Sequence, residues 1–130
     1  MTEPEVTRKA CILLAEDEPE IRRLLNDTLT REGFEVLAAP DGQAALKQAR
    51  DHEGTIDLLI TDVEMPKLDG FNLQERLRQE RPGVKLLVIS GTLGSNIEGV
   101  DFSLLRKPFR PAELAVKVRQ ILSEPAKMRN

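Results

Sequence analysis

The chain has 130 residues, 40% hydrophobic and 32% charged, with 19 basic against 22 acidic residues for a net charge of −3. That length fits one domain around a single core, and without a basic excess direct nucleic-acid binding is not expected. No apolar run can span a bilayer, the start "MTEPEVTRKA" lacks the apolar stretch of a secretory signal, and the lone Cys11 makes no disulfide framework, so a reducing cytoplasm is expected.

In chain order, the first apolar run is "CILLAED", 11–17. Residues 19–32 then place Ile21, Leu24, Leu25 and Leu29 on one helical face, with Pro19 in the first turn and Gly33 at the end. The run "FEVLAA", 34–39, is followed by a helical pattern over 41–51 that starts at the capping residue Asp41 and buries Ala44, Ala45 and Leu46. Next come "IDLLITD", 56–62, and a helix over 71–80 with Phe71, Leu73 and Leu77 near one side, ended by Pro82-Gly83. The run "KLLVIS", 85–90, leads into the glycine-rich "GTLGSNIEGVDF", where a helix is expected to be short or irregular. Last come "SLLRK", 103–107, and a helix over 111–122 that begins with proline and repeats Leu114, Val118, Ile121 and Leu122.

Most of the short runs are continuously apolar, which suits parallel strands covered on both faces. Their alternation with helices predicts a single doubly wound parallel α/β sheet. The polar ends, 1–9 and 124–130, are expected to be flexible tails around a domain at 10–123.

In such sheets ligands bind beyond the carboxyl ends of the strands. The first strand runs into Glu16, Asp17 and Glu18, the third into Asp62, the fourth ends at Ser90 and the fifth at Lys107. Carboxylates brought together repel unless a cation joins them, and a hard ion with oxygen ligands, Mg2+, resolves the conflict. A carboxylate beside Mg2+ can attack phosphorus, while a lysine and a hydroxyl neutralise phosphoryl oxygens. The set is suited to forming an aspartyl phosphate.

Four motifs, "LLAEDE", "LLITDVEMPKLDG", "LLVISG" and "LLRKPF", resemble in order those of the receiver domain of two-component response regulators, over roughly residues 10 to 122. The resemblance implies a flavodoxin-like five-stranded order 2-1-3-4-5. It also implies phosphorylation of Asp62 by a phosphohistidine of a histidine kinase or histidine phosphotransfer protein. Mg2+ would be held by Asp17 and Asp62, by Glu16 through a water and by the backbone carbonyl of Glu64. Ser90 would be the switch hydroxyl, Lys107 the phosphate-bridging lysine, and Lys107-Pro108 a cis peptide. Leu104 stands where the family has its switch aromatic, and the segment from Ser90 to Lys107 is short for a receiver. The wording "LLRKPFRPAELAVKVRQIL" resembles receivers attached to hybrid histidine kinases.

Other readings stand beside this one. His52, in the polar stretch "RDHEG", reads as a surface residue and not as a phosphohistidine or a ligand, Cys11 as packing near the start of the first strand, and Leu114, Val118 and Ile121 as core. A small Mg2+-dependent phosphohydrolase would want a substrate cap, for which no insertion is seen, and a second acid, for which Glu64 is available. A phosphorylation-independent binding module would be expected to lose the acid pair, the acceptor or the lysine, and all are present. The chain therefore reads as a signalling domain and not a turnover enzyme. Its output would pass to a downstream protein or fused domain.

Overall fold

In the computed structural model, residues 9–62, 70–90 and 103–123 are described. Among them nine elements follow in order: β1 (Cys11–Ala15), α1 (Pro19–Arg31), β2 (Glu35–Ala39), α2 (Gly42–Asp51), β3 (Leu58–Asp62), α3 (Gly70–Glu80), β4 (Lys85–Ser90), β5 (Ser103–Arg106) and α4 (Pro111–Ser123). The strands form one parallel sheet in the order β2-β1-β3-β4-β5.

The continuous apolar runs are explained by what covers the sheet. Successive strand residues point to opposite faces, and both faces are packed. Cys11, Leu13 and Ala15 join Ala45, Leu46 and Ala49 of α2 and Leu73 and Leu77 of α3. Ile12 and Leu14 join Leu25 and Leu29 of α1 and Leu114, Val118 and Ile121 of α4. Hence all five residues of β1 are buried, whereas the edge strands β2 and β5 are largely half-buried. The stripe Leu114, Val118, Ile121 is core.

Helix ends match their local chemistry. The Asp41 carboxylate accepts the Ala44 N–H at 2.8 Å, capping α2. Gly33, at φ 98°, closes α1: its N–H donates to the Thr30 carbonyl and the Phe34 N–H to that of Leu29.

Four differences from the sequence reading have physical causes. β1 stops at Ala15, where its ladder with β2 ends at Ala39, so Glu16 and Asp17 lie beyond the strand. Leu24 is 50% exposed, because it sits about 100° around the helix from the buried Leu25. β3 starts at Leu58, since Asp57 turns its carboxylate onto the Cys11 N–H at 2.8 Å. His52 is half-buried and not a plain surface residue, because its ring packs against Cys11. The short or irregular helix expected after Ser90 lies outside the described residues, as does Glu64.

Candidate functional site

The register of the sheet assembles one edge. Ala15 of β1 pairs with Thr61 of β3, so Glu16 and Asp62 follow side by side. Asp62 pairs in turn with Ile89, the residue before Ser90, and Ser90 pairs with Arg106, the residue before Lys107. The chain ends of β4 and β5 are tied by the Lys107 N–H, which donates to the Ser90 carbonyl at 3.1 Å. The Lys107-Pro108 peptide is cis.

At this edge Lys107 Nζ donates to Asp62 Oδ2 at 2.9 Å and lies 3.9 Å from Glu16 Oε1. Burial by itself would lower the lysine pKa, but the hydrogen bond to Asp62 and the charges of Glu16 and Asp62 raise it above the ordinary value. Lys107 is therefore a fixed cation.

Glu16 is the buried acid, 1% exposed. Its Oε2 accepts the Glu18 N–H at 3.2 Å, but its Oε1 has no hydrogen-bond partner among the described residues. Burial pushes its pKa up, against the Glu18 N–H and Lys107, which pull it down. Glu16, Asp17 and Asp62 each offer a carboxylate oxygen, and these lie within 4.8 Å of one another. All the donors are hard oxygens, and one, Glu16 Oε1, is buried without a hydrogen-bond partner among the described residues, so the set fits a small divalent cation such as Mg2+.

Ser90 is buried at the same edge, 5% exposed. Leu104, beside Val88 in the β4–β5 ladder, is half-buried against the core cluster under α2 and α3.

Two supports escaped the sequence reading. Arg22 Nη1 donates to the Glu16 carbonyl at 2.9 Å, so the start of α1 holds the acid loop. Thr61, fully buried, donates its hydroxyl to the Asp62 carbonyl at 3.0 Å. A polar residue directly before Asp62, inside an otherwise apolar strand, was the available signal for Thr61. For Arg22 the sequence held none.

The model of the response regulator receiver domain matches residues 12–119.

The chain belongs to the response regulator receiver domain family.

This receiver is 36% identical over 118 residues to the alkaline phosphatase synthesis transcriptional regulatory protein PhoP of Bacillus subtilis, covering 85% of this chain and 48% of that protein. The chain spans about half the length of the curated relatives it matches. Among solved structures it resembles the receiver domain of the hybrid histidine kinase CckA, with TM-score 0.77, 38% identity and coverage of 88% of this chain and 100% of that one. It also resembles the response regulator TrrA of Thermotoga maritima, solved in complex with Mg(2+)-BeF, with TM-score 0.73, 31% identity and coverage of 86% and 98%. Receiver domains are signalling modules that work with histidine kinases or phosphotransfer proteins, and are not turnover enzymes. No described helix is long and apolar enough to cross a membrane.

Proposed function

We propose that this receiver, spanning residues 10–123, accepts a phosphoryl group on Asp62 from the phosphohistidine of a cytoplasmic histidine kinase or phosphotransfer protein. A carboxylate oxygen of Asp62 attacks phosphorus, the bond to the imidazole nitrogen breaks, and the imidazole leaves with a proton from solvent. Mg2+ would be held by Asp17 and Asp62, by Glu16 through a water and, as the resemblance implies, by the Glu64 carbonyl, and would supply positive charge to the phosphoryl oxygens. Lys107 and the Ser90 hydroxyl take the remaining oxygens. Ser90 is then drawn toward the phosphate, and Leu104, which has no ring to swing between an outward and an inward pocket, does not act as a two-position aromatic switch.

The observation that carries this reading is the contact of Asp62 Oδ2 with Lys107 Nζ at 2.9 Å beside two further carboxylates. A binding module independent of phosphorylation has no use for a buried acid whose Oε1 lacks a hydrogen-bond partner among the described residues. The likeness to the CckA receiver supports a place in or beside a hybrid kinase system.

The test is incubation with a small acyl phosphate and Mg2+, followed by reductive trapping and peptide mass spectrometry. Modification is expected at Asp62 alone, absent in Asp62→Asn and absent when a chelator removes Mg2+. Labelling elsewhere, or labelling that survives Asp62→Asn, overturns the assignment.

A further inference from the structure

At the other end of the strands, away from Asp62, a second set of ligating side chains meets. Cys11 opens β1 and Glu35 opens β2, and the two are partners in the parallel ladder. Ladder partners present their side chains on the same face, on strands about 4.8 Å apart. The C-cap residue of α2, His52, comes down over that face. Cys11 Sγ lies 3.8 Å from His52 Nε2. With a Glu35 carboxylate oxygen added, the three ligand atoms lie within 4.8 Å of one another.

These distances are close to those of a coordination shell. Sulfur at about 2.3 Å and nitrogen at about 2.0 Å from a tetrahedral zinc stand about 3.5 Å apart. The observed separation needs a closure of only a few tenths of an ångström for that pair, and a rotamer adjustment of the exposed Glu35 for the third. The three residues also form a graded entry: Glu35 is exposed, His52 half-buried, and Cys11 1% exposed at the floor.

The backbone that carries His52 is held from outside. The Arg81 guanidinium donates to the carbonyls of Ala49, His52 and Gly54 at 3.0, 2.8 and 2.7 Å. This clamps the end of α2 and the turn after it. Such outer support orients ligands and sustains metal affinity. The Asp57 carboxylate accepts the Cys11 N–H at 2.8 Å, which fixes the backbone that carries the thiol.

We propose that Cys11, His52 and Glu35 form a binding site for a zinc-class divalent ion, with a fourth position open to water. The ion takes the place of the thiol proton, which leaves to solvent. A thiolate and a carboxylate then balance the two positive charges, and the neutral imidazole binds through Nε2. Ligand chemistry separates this site from the acid pocket: thiolate and imidazole select zinc and its neighbours, whereas an all-oxygen set suits Mg2+. The proposal is independent of phosphorylation at Asp62.

The experiment is a Co2+ titration of the full chain, in Mg2+ buffer with a thiol-free reductant. Because the chain holds one cysteine, a thiolate-to-cobalt charge-transfer band reports on Cys11 alone. The band should saturate at one ion per chain and vanish on addition of Zn2+. It should persist in Asp62→Asn, disappear in Cys11→Ser, and require at least about tenfold more Co2+ in His52→Gln. Cys11→Ser also alters the core, so His52→Gln and Glu35→Gln, at more accessible positions, carry the test. Absence of the band overturns the site. So does a band indifferent to His52→Gln, which would mean cobalt bridging two chains through their cysteines.

Discussion

Glu16 shows how one residue can hold the molecule ready for a cation. Its carboxyl is buried against two other acids, and its pKa stands above its ordinary 4.5, chiefly through desolvation. A carboxyl with a raised folded-state pKa binds its proton more tightly in the folded chain. The stability it contributes is full below the unfolded pKa and is lost as pH rises through the folded value. At neutral pH and without divalent cations, ionised Glu16 therefore opposes folding, and Lys107 at 3.9 Å offsets only part of this. Glu16→Gln is expected to raise Tm at pH 7 in chelator, because it removes the buried charge while keeping the shape of the side chain. The gain should vanish near pH 4 and shrink in Mg2+. Thermal melts at both pH values check it, and a Glu16→Gln chain less stable than the parent in chelator at pH 7 refutes it. The clustering of Glu16, Asp17, Asp62 and Lys107 was legible because each stands at or just beyond the end of an apolar strand, where a parallel sheet gathers its edge. His52 was not. Its sequence neighbours are polar, and only the tertiary placement of α2 over β1 brings Cys11 against its ring.

At the scale of elements, the strands were readable because parallel strands covered on both faces leave few polar positions in the sequence. The same logic misplaced strand ends, since a hydrogen-bonded ladder stops where its neighbour stops and not where apolar residues run out. β1 gives up at the Ala15–Ala39 pair for that reason. The end of α1 was legible from Gly33 alone, and the structure supplies the cause. Gly33 stands at φ 98°, with its N–H on Thr30 and that of Phe34 on Leu29, while Phe34 packs into the cluster that contains Leu29. An added Cβ meets nothing within 4 Å, so the whole penalty of Gly33→Ala is the backbone conformation. The substitution is expected to destabilise the chain by about 1–2 kcal/mol, measured by urea unfolding with an unchanged slope. A neutral result would mean that α1 ends in another way in solution.

Across the whole molecule, the acid pocket and the core are one mechanical unit. Glu16 follows β1 directly, Asp62 ends β3, and these neighbouring interior strands carry both apolar layers. Anything that binds the pocket in the folded chain, and not in the unfolded one, must stabilise the entire domain, because small single domains melt as one unit. An ion present at one hundred times its Kd adds about 2.7 kcal/mol. For a chain of 130 residues this corresponds to roughly 10 °C in Tm. Mg2+ is therefore expected to shift a single, sharp transition upward by about that amount when saturating. A phosphoryl mimic such as beryllofluoride should add a further shift, because it occupies Asp62 and Lys107 together. Asp62→Asn should abolish the second shift, since the carboxylate oxygen that holds the mimic is gone, while its single transition remains. Calorimetry across a Mg2+ series, with and without the mimic, measures both. Two transitions in place of one, or a beryllofluoride shift that survives Asp62→Asn, would show that the pocket and the core do not act together as the sheet register implies.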